Sequence, residues 1–138
     1  MANKLDYHVD TTGPIAVYMQ IENQIQFFVA SGELKKGETL PSVRDMSSLL
    51  SVNPNTVTKA YRDLELMGVV QTRRGVGVTI TESAQKATKR STLNMVRSHL
   101  KDAVSECNAS GVSQEDIEKI VSATIKDGRK PYTSGNHN

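Results

Sequence analysis

The run SVRDMSSLLSVNPNTVTKAYRDLELMGVVQTRRGVGVTI, residues 42–80, lays out its own punctuation. Ser42 is followed three residues on by Asp45, a capping-box spacing with Asp in the Glu position. Val43, Met46, Leu49 and Leu50 then recur at helical intervals on one side. Ser51-Val52 makes a brief turn. Asn53 has the chemistry of an N-cap and Pro54 that of a first-turn residue, so a second helix begins there. Its inner face is Val57, Ala60, Tyr61 and Leu64, and Gly68 can end it. Val69 to Thr72 and Val78 to Ile80 read as two strands rich in β-branched residues. Between them Arg73-Arg74-Gly75-Val76-Gly77 forms a hairpin tip with two flexible positions. Helix, short turn, helix and hairpin in that order is a winged helix-turn-helix.

Working outward, Pro14 opens a helical pattern in which Tyr18, Ile21, Ile25, Phe28 and Val29 share a face, with Gly32 at its end. Lys35-Lys36-Gly37 is turn chemistry, and Thr39-Leu40 is too short for more than a single ladder contact. Residues 1–13 read as a flexible lead-in. Downstream, Glu82 to about Ala109 is one long helical pattern with Leu93, Val96, Leu100, Ala103, Val104 and Cys107 on one stripe. Gly111 breaks it, and Ser113-x-x-Asp116 caps a further helix carrying Ile117, Ile120, Val121 and Ile125. Residues 128–138 are polar and read as a disordered tail. The expected architecture is mainly α with a small β-hairpin. A winged helix-turn-helix spans 14–80, and a two-helix dimerisation segment spans 81–127.

Composition narrows the function. The chain has 138 residues, 17 Lys and Arg against 15 Asp and Glu, and a net charge of +2. Residues 1–80 hold 8 basic and 8 acidic residues, so the winged domain is neutral and charge alone names no partner. Aromatics are 4% with no Trp, a poor supply for single-strand stacking. One Cys excludes an intramolecular disulfide framework and a cysteine-built zinc site. There is no run of about eighteen apolar residues and no basic-then-apolar leader. A reduced, soluble, cytoplasmic protein is expected, without a membrane partner.

The second helix of the motif must show polar groups to base edges while its other face locks into the core. Its outer face offers Asn55, Thr56, Thr58, Lys59 and Arg62, with Asn55, Lys59 and Arg62 at i, i+4 and i+7. Asn reads adenine through two hydrogen bonds, a pairing worth roughly 1–3 kcal/mol of discrimination. Ser42 and Arg44, in the first turn of the preceding helix, suit a phosphate. Arg73 and Arg74 at the hairpin tip are placed for a minor groove or the backbone. Polar outer faces and loop arginines are also ordinary solvated surface, and periodicity alone leaves the two readings level.

The residues themselves shift that balance. Pro-x-x-x-Tyr-x-Gln from Pro14, and Ser-Gly-x-Leu-x-x-Gly-x-x-Leu-Pro-Ser-x-Arg from Ser31 to Arg44, are two ordered blocks. Asn-Thr-Val-x-x-Ala-Tyr-x-x-Leu from Asn55 to Leu64 and the Arg-Arg-Gly-x-Gly wing are two more. Together, from Pro14 to Ile80, they resemble the DNA-binding domain of the GntR family of bacterial transcription regulators. The Val-Asn-Pro-Asn-Thr-Val form is similar to the YtrA-type subfamily. The resemblance implies DNA contacts at Arg44, Asn53, Pro54, Asn55, Thr56, Thr58, Arg74 and Gly75. Departures are visible. Many relatives have Arg where Pro54 stands, and Val76 and Val78 occupy wing sites where a basic residue and Thr are frequent. Ser51 fills a turn site that is often Gly, and a left-handed backbone there costs Ser on the order of 1 kcal/mol.

Residues 81–138 are too few to enclose a metabolite cavity of their own. Two helices with one apolar stripe each cannot fully bury those stripes against each other, so a homodimer is expected. Short tails of two dimerising helices are also what the YtrA-type resemblance implies. Two winged domains related by a two-fold axis would read an inverted repeat in double-stranded DNA. Cys107 lies on the apolar stripe and reads as a small hydrophobe. His99 has no companion at ligand spacing, so no metal is expected, and no cofactor. Lys86, Lys89 and Arg90 suit phosphates or plain solvent equally. Nucleophile–base pairs, paired carboxylates in a predicted cleft and phosphate loops are missing, so an enzyme is not expected. The expectation is a transcription repressor with an effector the sequence does not name. The alternative is a winged-helix module for protein or RNA without sequence-specific DNA binding.

Overall fold

The computed structural model describes residues 5–128. They divide into two compact units, with the break between Thr92 and Leu93. The first unit holds α1 (Val17–Ser31), α2 (Val43–Leu50), α3 (Pro54–Leu66), β1 (Val70–Arg73) and β2 (Gly77–Ile80). The helix α4 (Ala84–Ala109) begins in it and continues into the second unit, which α5 (Gln114–Asp127) completes.

The helices start where their caps dictate. Ser42 Oγ accepts the Asp45 N–H at 3.0 Å to open α2, and Asn53 Oδ1 accepts the Asn55 N–H at 2.8 Å to open α3 behind Pro54. Each such cap satisfies a donor that the first turn leaves orphaned, worth about 1 kcal/mol. Between the two helices Ser51 takes the left-handed conformation, φ 55° and ψ 48°. It is the one non-glycine residue with positive φ among those described. The turn therefore has the geometry that a glycine would adopt without strain.

The core is built by α1 and α3 crossing, with α2 packed on α3. Ile25, Met46, Val57, Ala60 and Leu64 are completely withdrawn from solvent. Each large apolar side chain among them contributes roughly 1.5–3 kcal/mol by leaving water. Tyr61 is buried too, and its hydroxyl donates to the Pro41 carbonyl at 2.7 Å, which avoids an unpaired polar group inside. The hairpin pairs Val70 with Ile80 through to Arg73 with Gly77, antiparallel. Thr39 adds one isolated bridge to Thr79, the single ladder contact anticipated for Thr39-Leu40.

Three boundaries depart from the sequence reading. First, α1 begins at Val17 and not at Pro14: the Ala16 carbonyl takes the N–H groups of Met19 and Gln20, so the chain before it stands outside the helix. Second, the described part of the lead-in is packed, where a flexible segment was expected. Tyr7 is 4% exposed and stands edge-on to Phe28, with ring centroids 5.5 Å apart. Two α1 glutamines hold this segment by amide pairing. Gln24 exchanges two hydrogen bonds with the His8 backbone (2.8 and 3.1 Å), and Gln20 two with Asp10 (2.7 and 2.8 Å). Side-chain amides thus pair with this segment's backbone as a neighbouring strand would. Third, the start of α4 belongs with the winged domain, because Ala84 and Thr88 are fully buried there. The expected boundary after residue 80 fell too early. The tail from 129 to 138 lies outside the described residues.

In the second unit the chain turns out of α4 at Gly111 (φ 78°), just past the helix end, where the Val112 N–H returns to the Cys107 carbonyl at 2.9 Å. Ser113 Oγ accepts the Asp116 N–H at 3.2 Å and opens α5, as its capping spacing predicts. No residue of α5 is buried. Among the described residues no helix is long and apolar enough to cross a membrane.

Candidate nucleic-acid interface

On α3 the periodicity sorts residues cleanly. Val57, Ala60, Tyr61 and Leu64 face the core, and Asn55, Lys59 and Arg62 stand exposed on the opposite side, as the sequence pattern requires. Pro54 and Asn53 are exposed at the helix start, with Thr56 and Thr58 half-buried beside them. Asn53 commits one acceptor site of its side-chain oxygen to the cap and keeps its amide NH2 to donate. Ser42 likewise uses its oxygen on Asp45 and keeps its hydroxyl proton to donate, with Arg44 exposed next to it.

The wing grows from the far end of α3. Glu65 Oε2 accepts the Thr72 N–H at 3.1 Å, which ties β1 to that helix. Arg73, Arg74 and Gly75 are all exposed at the tip, and the Val76 N–H closes the turn on the Arg73 carbonyl at 3.0 Å. Gly75 sits at the third position of this turn with φ 79°, which a side chain would strain. The tip thereby carries two guanidinium groups on a short, closed turn.

Charge is distributed unevenly within this neutral domain. Arg44, Arg62, Arg73 and Arg74 form no ion pair among the described residues, whereas Lys36 is paired with Glu82 and Lys59 with Asp63. Free guanidinium groups suit phosphate and guanine edges through two parallel hydrogen bonds. Lys59 departs from the expectation of a free groove-tracking cation. Its Nζ lies 3.2 Å from Asp63 and 4.5 Å from the centre of the Tyr18 ring. It links α3 to α1 while remaining half exposed. Helical spacing places Tyr18 wholly in the core and so does not show this link, for which Glu22, a carboxyl one turn on from Tyr18, is the local signal.

A family model described as bacterial regulatory proteins, gntR family, matches residues 17–80. The HTH-type transcriptional repressor YtrA of Bacillus subtilis (strain 168) is 34% identical over 125 residues, covering 88% of this chain and 96% of the relative. The chain belongs to the GntR family. Solved structures agree with this along most of the length. A transcriptional regulator from Oenococcus oeni superposes with a TM-score of 0.66 at 36% identity, covering 85% of this chain and 97% of that one. YtrA from Sulfolobus acidocaldarius, a GntR-family transcription factor, gives 0.53 at 32% identity, covering 70% of this chain and 95% of its own. This GntR-family chain is therefore a YtrA-like transcription regulator with a winged DNA-binding domain, and not an enzyme. The relatives span the helices after the wing as well, so the likeness extends past the DNA-binding domain.

Proposed function

We propose that this regulator is a cytoplasmic repressor that binds an inverted-repeat operator as a homodimer. The observation that carries the dimer is the apolar surface of the second unit. Leu93 is 58% exposed, Leu100 56%, Ile120 57% and Ile125 64%, with Val96, Val104 and Val121 also open to solvent. Along α4, Leu93, Val96, Leu100, Ala103 and Cys107 alternate in steps of three and four, the seam of a coiled coil. The backbones of α4 and α5 scarcely approach each other, and most of each stripe stays open, with Cys107 and Ile117 partly covered. A monomer has no reason to keep such a surface in water. A second copy of the same helices matches it by symmetry, and Ile117, Ile120, Val121 and Ile125 of α5 would flank that seam.

The operator reading rests on the exposed residues Ser42, Arg44, Asn53 to Asn55, Arg62 and Arg73 to Gly75, with the half-buried Thr56 and Thr58 between them. Asn55 and Arg62 would read base edges from α3, and Arg44 and Ser42 would hold a phosphate. Arg74 would enter the minor groove or grip the backbone. Repression is the activity that the name of the Bacillus subtilis relative prints, carried here on 34% identity across most of both chains. Selection of bound duplexes from a random pool tests the whole reading. An enriched palindrome whose half-sites are separated by whole helical turns is expected, with affinity falling steeply as salt rises. Enrichment of a single half-site, or of no sequence at all, would overturn it.

A further inference from the structure

The helix that presents Asn55 and Arg62 carries less free positive charge than its composition suggests. The charged side chains of α3 are Lys59, Arg62, Asp63 and Glu65, two cations against two carboxylates. Arg62 forms no ion pair among the described residues, whereas Lys59 is committed twice. Its Nζ donates to Asp63 Oδ2 at 3.2 Å and stands 4.5 Å from the centre of the Tyr18 ring. The two partners come from different elements, Asp63 from one turn further along α3 and Tyr18 from α1. Asp63 is the more sheltered member of the ion pair, its side chain 28% exposed against 52% for Lys59, so water screens the pair less than a fully open one.

The direction of these contacts matters. In a helix-turn-helix the N-terminal part of the second helix meets base edges. Here that part is Asn53 to Thr56, and Asp63 draws the ammonium one turn away from it while Tyr18 draws it towards α1. Lys59 shares a stripe with Asn55 and Arg62 by spacing, yet its charge is answered within the domain.

We propose that Asp63, with Tyr18, is a specificity-determining residue: it withholds the charge of Lys59 from phosphate, so that the domain depends on base contacts and holds DNA of other sequence weakly. This role rests on the operator-binding reading above. Binding to random DNA is almost wholly phosphate attraction, and each phosphate neutralised contributes about 0.9 to the slope of log affinity against log salt. An ammonium on a flexible four-carbon stem finds a phosphate in any register. On the operator, base contacts fix the register, and a freed Lys59 gains only what that one placement offers. Release of Lys59 therefore favours random DNA over the operator. With 8 basic and 8 acidic residues in positions 1–80, pairing and not composition decides where the winged domain shows positive charge.

A double-mutant cycle on the full chain tests this, with affinities for a random-sequence duplex and for the selected operator measured across salt. Asp63→Asn keeps the shape of the side chain and removes the charge that holds Lys59. It is expected to tighten binding to the random duplex about three- to tenfold per domain and to steepen the salt slope by about 0.9, the counterion release of one phosphate contact. The operator is expected to gain less, so the ratio of operator to random affinity falls. In a Lys59→Met background the same Asp63→Asn change is expected to gain less than about twofold, since only a general loss of negative charge remains. Equal gains in the two backgrounds would make Asp63 a plain repulsive charge and overturn the inference. An operator-to-random ratio unchanged by Asp63→Asn would overturn it as well. Should thermal unfolding show that Asp63→Asn does not fold, Lys59→Met alone decides. A salt slope within about 0.3 of the wild type per domain is then expected, and a slope shallower by about 0.9 would place Lys59 on a phosphate and refute the withheld charge. Wild-type chain for which selection enriches no duplex would instead overturn the operator-binding reading, and this inference with it.

Discussion

In the winged unit Ile25, Met46, Val57 and Leu64 have no solvent exposure, whereas in the helices beyond Thr92 Leu93, Leu100 and Ile125 are each more than half exposed. Both regions have apolar stripes at helical spacing. The difference lies in what is available to cover them. Residues 5–92 contain three helices, a hairpin and the start of α4, enough walls to enclose a core. Residues 93–128 contain one and a half helices whose backbones scarcely approach each other. A helix shows its stripe whether or not a partner is present, and only the surrounding chain decides whether that stripe is a core or an interface.

The contrast can be broken most forcefully in the core. Leu64→Ala should cost about 2–5 kcal/mol of unfolding free energy by leaving a cavity that close-packed neighbours cannot fill. Urea denaturation would measure it. A loss below about 1 kcal/mol would mean that the winged unit is not the packed half of the molecule.

The same kind of change in the second unit should act on assembly. Leu100→Glu is expected to raise the dimer dissociation constant by roughly 100-fold, about 3 kcal/mol, since it places a charge at the centre of an apolar seam. Sedimentation equilibrium reads this, and wild-type chain that stays monomeric at micromolar concentration would contradict the assignment of the stripe. DNA affinity should fall with the dimer, while the far-ultraviolet dichroism of the winged unit is retained.

On the surface proposed to meet DNA the expected effects are smaller and separable. Asn55→Ala should cost about 1–3 kcal/mol and relax preference at one base pair in each half-site. Arg74→Ala should weaken all sequences more evenly and reduce the salt slope if it meets phosphate, or alter one A·T-rich position if it enters the minor groove. Competition binding with single-substituted operators distinguishes them. Equal losses on operator and random DNA for Asn55→Ala would remove it from base reading.

The smallest effect is predicted in the turn between α2 and α3. Ser51→Gly should stabilise the winged unit by about 0.5–1 kcal/mol, because the left-handed backbone costs a residue with a Cβ and glycine nothing. A melting temperature unchanged or lowered by Ser51→Gly would show that the serine side chain compensates for the strain.

Much of the architecture was legible in residues 42–80. Caps and breakers act over three or four positions, so Ser42, Asn53, Pro54 and Ser113 announced their helices without reference to anything distant. The wing was readable for the same reason: Arg73 to Gly77 is a local turn between two β-branched runs. The family blocks added Asn53, Pro54 and Gly75 to the candidate contacts, which no periodicity argument would single out. Residues 5–10, by contrast, carry no local signal for packing. Their place depends on Gln20 and Gln24 of α1, ten and sixteen residues away, offering amide groups to the backbone of Asp10 and His8.

Local chemistry thus set the order of elements, the turn that strains Ser51, the polar face of α3 and the stripe on α4, since each is governed by neighbours within one or two helical turns. Tertiary packing settled the rest. It drew Tyr7 against Phe28, placed Ala84 and Thr88 in the winged unit's core, and turned Lys59 from a free cation into a bridge between Tyr18 and Asp63. The physical reason is that burial and charge pairing depend on which groups lie within a few ångströms across the fold. Spacing along one helix specifies only which groups share a face.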